Sequence, residues 1–213
     1  TPADEKAAYD AYFWSGLGGF FWGTSYWLDP IINGKYPELL IEQAGDIFPK
    51  VTDKEMKIIS QKIDFIGLNI YEAQYQGDYV RTPGTAHTEL NWDVYPDALY
   101  WGIKLNWEKY HIPIYITENG MSAHDWVSLD GKVHDPNRID FLHRYLKGLR
   151  KSADEGCDVA GYFQWSFMDN FEWARGYNPR FGIVHVDYKT QKRTPKDSAY
   201  WYKEVIENNG ENL

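Results

Sequence analysis

The chain has 213 residues, 43% hydrophobic and 25% charged, enough apolar content to bury a sizeable core. Lys and Arg number 22 against 31 Asp and Glu, a formal net charge of −9 that argues against a nucleic-acid or anionic-membrane partner, since both need basic patches. No apolar run approaches the ~18 residues that span a bilayer; the single Cys157 precludes an internal disulfide, and the 6 His form no close cluster with Cys or carboxylates that would suit a metal.

In chain order, residues 3–14 read as a helix. Residues 15–25 set Gly16, Gly18, Gly19 and Gly23 among aromatics and read as a loop. Asn33-Gly34 and Tyr36-Pro37 signal turns, and Pro37 opens a helix to about Ala44. Thr52 and Glu55 fit a capping box, which starts a helix to about Gln61. "IDFIGLNIY" (63–71) is an apolar run of strand length. A helix from Pro96 to about Tyr110 follows, then a second strand, "IPIYIT" (112–117). Asp130-Gly131 marks a turn before a helix from Pro136 to Ala153. "VAGYFQWSF" (159–167) is the third strand, "FGIVHVDY" (181–188) a shorter one, and a last helix runs from about Pro195 to Asn208.

Strand and helix thus alternate from residue 63 onward, and the strands are apolar along their length. That is the pattern of a parallel sheet covered by helices on both faces. Polar residues gather where strands end: Asn69 and Tyr71, Glu118 and Asn119, Gln164 and Trp165. Parallel α/β folds build their active sites at those ends. From position alone, Glu118 is either a solvated loop carboxylate or a catalytic one. Aromatic content is 17%, with 10 Trp and 17 Tyr, and fits either a large aromatic core or sugar recognition by flat ring faces.

Three motifs decide between these readings. "DFIGLNIY" (64–71), "YITENG" (115–120) and "GYFQWSFMDNFEWARGYNPRFGIVHVDY" (161–188) together resemble the family 1 glycoside hydrolases, the β-glucosidase family. "LDPIINGKYP" (28–37) and "TQKRTPKDSAYWYKEVI" (190–206) fit the same pattern. The resemblance implies an α/β fold, the C-terminal part of a (β/α)8 TIM barrel with about its last three strand–helix units. Residues 1–213 would be one portion of a single barrel domain. The stretch 13–27 departs from the family pattern, being richer in Gly and aromatics.

By that resemblance Glu118 is the nucleophile of retaining hydrolysis, and the Tyr71 hydroxyl contacts it. Asn69 lies towards the acid/base side and Trp165 is the sugar platform. Glu172 accepts hydrogen bonds from two sugar hydroxyls, Trp173 donates its indole N–H, and Phe181 lines the pocket near the sugar's C6. Asn119 and Gly120 read as turn formers. Trp14, Trp22, Trp27, Trp101 and Trp201 read as packing residues. Glu172 stands where the phospho-glycosidase branch holds a phosphate, and a carboxylate there repels a dianion. The implied substrates are therefore unphosphorylated terminal β-D-glucosides, with galactosides and cellobiose as further candidates, and no cofactor or metal is implied.

Retaining hydrolysis needs a second carboxylate about 5–5.5 Å from the first. The family carries it in an Asn-Glu-Pro motif, which does not occur here. The expected partner is the complementary N-terminal half of the barrel as a second chain, without which this chain is inactive. The alternatives are an inactive sugar-binding module and a self-associating half-barrel. The start at Thr1-Pro2-Ala3-Asp4 lacks Met and does not read as a signal peptide, which suggests an internal start point. With one Cys and no Asn-x-Ser/Thr sequon, a cytoplasmic setting is expected.

Overall fold

The computed structural model describes residues 1–15, 20–73 and 80–213. Two compact units are present, one holding Thr1–Asp64 and the other Arg81–Leu213 with the first strand.

In the first unit, helix α1 (Pro2–Asp10) starts at a Thr1–Asp4 capping box and runs into a π-turn over Ala11–Ser15. Helix α2 (Thr24–Asn33) overlaps the expected loop at Thr24 and Ser25 and the expected turn at Asn33, and fills residues 26–32, for which the sequence offers no element. Pro30 inside it opposes helix locally. Burial of Tyr26 against Leu40 and Ala44, with Trp14, Tyr36 and Phe48 around them, overrides that preference. Gly34 ends α2 in the left-handed conformation (φ 68°) that a side chain resists. Helix α3 (Glu38–Ala44) and helix α4 (Asp53–Ile59) follow, and α4 opens on the expected Thr52–Glu55 box. Trp22 and Trp27 are 73% and 61% exposed, although the Trp27 ring meets Tyr26 edge-on at 5.0 Å. Residues 16–19 of the aromatic-rich stretch lie outside the described residues.

The second unit carries the repeat that the sequence pattern predicted. Strand β1 (Ile66–Asn69), helix α5 (Asp97–Tyr110), strand β2 (Ile114–Asn119), helix α6 (Pro136–Asp154) and strand β3 (Val159–Gln164) alternate along the chain, and the three strands form one parallel sheet in the order β1-β2-β3. Helix α6 buries Arg138, Phe141, Leu142, Tyr145 and Leu146, a stripe at helical spacing. Gly148 lets α6 approach α5 closely, since a Cβ there would lie 3.2 Å from Pro96 O and 3.5 Å from Tyr100 Cβ.

One sheet face is buried through Ile66, Leu68, Ile114 and Ile116. The expectation of helices on both faces fails. Burial alternates along β1, and Phe65 and Phe163 are 50% and 58% exposed. Apolar residues on a bare face cannot be told by sequence from residues under a helix.

Past β3 the chain leaves the sheet at Trp165. Strand β4 (Val184–Val186) pairs antiparallel with strand β5 (Arg193–Pro195), a separate ribbon. Sequence reading missed β5 because it is short, polar and closed by Pro. Helix α7 (Asp197–Glu207) ends the fold. Among the described residues, no helix is long and apolar enough to cross a membrane, and no group of three or more His, Cys, Asp or Glu could hold a metal ion.

Candidate active site

The ends of the three parallel strands do not stay in register. Leu68 faces Ile116, but Asn69 faces Glu118 instead of Thr117. The extra residue is a bulge, which re-aims the side chains beyond it. Thr117 Oγ1 then donates to Asn69 Oδ1 at 2.6 Å.

Asn119 is no turn former. It is the fully buried last residue of β2, and it ties all three strands together. Its Nδ2 donates to Ile70 O at 2.7 Å, its Oδ1 accepts from the Tyr162 hydroxyl at 2.8 Å, and its carbonyl accepts the Trp165 N–H at 2.8 Å. Gly120 is required by close approach: a Cβ there would sit 1.8 Å from Trp165 O. The peptide between Trp165 and Ser166 is cis.

Glu118 projects from this braced end. The Tyr71 hydroxyl donates to Glu118 Oε2 at 2.6 Å, a short charge-assisted bond. Tyr71 is itself held, its carbonyl accepting from the Tyr145 hydroxyl at 3.1 Å. Its ring centroid lies 5.3 Å from Trp92 and 6.1 Å from Phe181, and Trp92 and Phe181 are 6.1 Å apart. Sequence reasoning missed Trp92.

Burial, then the bond to Glu118, then the charges of Glu118 and Glu172 push the Tyr71 hydroxyl far above the ordinary tyrosine range. It therefore stays a donor at any working pH. Burial, reinforced by the Glu118 charge, raises the Glu172 carboxyl. Two carboxylates thus share one field at the strand ends. Phe181 is 3% exposed beside them, and Trp165 is half-buried. Trp173 lies in a 3-10 turn with φ 41° and is 80% exposed, so its indole is open to solvent. Asn69, Tyr71, Glu118, Glu172 and Phe181 are linked by the contacts and charges above. Trp165 joins them through its backbone, and the exposed Trp173 directly follows Glu172 in the chain.

A second constellation was not legible in sequence. The side chains of Asp125, Asp135, Asp169, Arg138 and Lys196 are buried and the partly buried Arg180 joins them, three carboxylates against three cations. Lys196 Nζ lies 2.6 Å from Asp125 Oδ2 and 2.8 Å from Asp169 Oδ1. Arg138 reaches Asp125 Oδ2 and the Arg180 carbonyl, each at 2.8 Å, and also Asp135. Burial lowers the Lys196 ammonium, an effect that Arg138 adds to and the carboxylates oppose. Burial alone would raise Asp125, but Arg138 and Lys196 outweigh it and hold the carboxyl below its usual range.

Residues 19–211 match the sequence profile of glycosyl hydrolase family 1. The chain belongs to that family. It is 46% identical over 192 residues to β-glucosidase A of Thermotoga maritima, covering 86% of this chain and 43% of that protein. With the β-glucosidase of Agrobacterium sp. it shares 40% over 214 residues, 94% of this chain and 44% of the relative. A solved structure of the Thermotoga maritima β-glucosidase in complex with noeuromycin superimposes with a TM-score of 0.83 at 40% identity, over 99% of this chain and 48% of that one. The complex with deoxynojirimycin gives 0.79 at 46% identity, over 87% and 44%. This family 1 chain therefore spans less than half the length of these relatives. Its α/β architecture is part of the family's barrel, with Tyr71, Glu118 and Trp165 at the C-terminal ends of its strands.

Proposed function

We propose that this chain supplies the nucleophile and much of the sugar pocket of a retaining β-glucosidase. The observation that carries this reading is the 2.6 Å bond from the Tyr71 hydroxyl to Glu118 Oε2 at the C-terminal end of a parallel strand. A nucleophilic carboxylate must be ionised and aimed. A hydroxyl held on one of its oxygens orients the other toward the sugar. In the first step the Glu118 oxygen bonds the anomeric carbon as the glycosidic C–O bond breaks. A second carboxyl about 5–5.5 Å away protonates the leaving oxygen, then activates the water that cleaves the glycosyl ester.

That second carboxyl comes from the complementary N-terminal half of the barrel, acting as a second chain. Three features support a covering partner. The chain spans under half of its relatives' length, the outer edges of β1 and β3 are unpaired among the described residues, and Phe65 and Phe163 lie exposed on the sheet. In the pocket Glu172 accepts from two sugar hydroxyls, Trp165 stacks on the ring, Trp173 donates its N–H and Asn69 faces the acid/base side. Phe181 closes the end near C6. Carboxylates at 118 and 172 repel a phosphorylated sugar, so the substrate is an unphosphorylated β-D-glucoside. The relatives' own names, β-glucosidase, agree.

The test is Glu118→Gln, assayed with an aryl β-glucoside once the chain is joined to its complementary half. Turnover should fall to background while sugar binding persists. Substantial turnover by that variant would sink the assignment.

A further inference from the structure

The six clustered charges take no part in the reaction above, and buried ion pairs add little net stability over apolar packing. What they supply is one geometry. Asp169 is the member that reaches the site. Its Oδ1 accepts from Lys196 Nζ at 2.8 Å and from the Gly182 N–H at 3.1 Å. Its Oδ2 accepts from Arg180 Nη1 at 2.6 Å and from the Val186 N–H at 3.3 Å. Arg180 and Gly182 are the two neighbours of Phe181, so one carboxylate grips both sides of that ring. The backbone continues the zip: the Ser166 N–H donates to Phe181 O at 3.1 Å, and the Ile183 N–H to Ser166 O at 3.0 Å. Phe181 packs 6.1 Å from the Tyr71 ring, and the Tyr71 hydroxyl holds Glu118.

We propose that Asp169, with Lys196 as its counter-ion, is a positioning residue for the glucoside site, fixing Phe181 and thereby Tyr71 from behind. Its functional arm rests on the glucosidase reading. Lys196 extends the clamp to the loop after β2, because its ammonium also binds Asp125.

Asp169→Asn keeps the shape and an acceptor for Gly182 but removes the charge facing Lys196 and Arg180. Asp135→Asn is the control. It belongs to the same cluster, yet its bonds go to Arg138 and Ser198. With the chain joined to its complementary half, deoxynojirimycin affinity is measured by calorimetry, and amide exchange is followed along residues 166–186. Asp169→Asn should weaken deoxynojirimycin by about tenfold or more and lose protection in 166–186, while β1–β3 keep theirs. Asp135→Asn should lower the melting temperature and leave affinity unchanged. Unchanged affinity in Asp169→Asn, or equal loss in Asp135→Asn, would overturn the proposal. If the wild type takes no deoxynojirimycin, the glucosidase reading fails and exchange alone decides. Retained protection at Gly182 and Val186 then overturns the clamp, and selective loss upholds it. Should Asp169→Asn not fold, Lys196→Arg, which keeps the charge and alters its reach, is put through the same measurements.

Discussion

Replacing Arg138 by Met removes a cation that serves two carboxylates and a carbonyl at once, from a side chain with no exposed surface. The cluster then holds three carboxylates against two cations. Removing one partner of a buried pair costs about 3–5 kcal/mol, because the charge left behind stays desolvated. For a chain of this size each kcal/mol moves the melting temperature by roughly 2–4 °C, so the variant should melt about 6–20 °C lower. Calorimetry reads this, and amide exchange in α6 assigns the transition to the second unit. The double variant Arg138→Met with Asp125→Leu restores the balance at two and two. Lys196 keeps its 2.8 Å bond to Asp169. Coupling between touching residues runs to about 0.5–3 kcal/mol, and the double variant should recover that much relative to the sum of the singles. A single variant that loses less than about 1 kcal/mol, or a double variant with no recovery, would refute the account of the cluster as a charge-balanced set.

Tyr71→Phe deletes the hydroxyl on Glu118 and leaves the ring packed on Trp92 and Phe181. A hydrogen bond to a charged group contributes about 1.5–3 kcal/mol, so kcat/KM for an aryl β-glucoside should drop roughly ten- to a hundredfold with little change in melting temperature. Glu172→Gln should weaken sugar binding yet hold or raise the melting temperature at neutral pH. The folded carboxyl titrates above its ordinary value, so its charged form costs stability above the unfolded pKa, and Gln has no such charge. His134 gives a pH signature. Hydrogen bonds to Asp197 and then Asp130 raise its pKa above 6.5, so its contribution is full below 6.5 and is lost as pH rises through the folded value. Melting temperature should therefore fall slightly across that window in the wild type and stay flatter in His134→Gln.

What could be read in advance was local or repetitive. The Thr52–Glu55 box, the alternation of strands and helices after residue 63, and the placing of Tyr71 and Glu118 at strand ends all follow from spacing within one element. What could not be read depends on distant partners. Lys196 meets Asp125 across 71 positions and Asp169 across 27, and no periodicity marks such a pair. Helix α2 was hidden by Pro30, whose local cost is offset by the burial of Tyr26. Trp22 and Trp27 misled in the other direction: a large aromatic predicts burial only on average, and here both are exposed. By residue type Asn119 reads as a turn former, whereas its three bonds to neighbouring strands set its role.

The charge cluster also gives the site an uncommon response to heat. Hydration of ions becomes less favourable as temperature rises, so the penalty for burying them shrinks, while apolar burial gains nothing comparable. The ties from Asp169 to Arg180 and Lys196 therefore strengthen relative to the surrounding core on warming. The segment behind Phe181 is set to be among the last parts of the second unit to loosen, and pocket shape should outlast the softening of the helices around it.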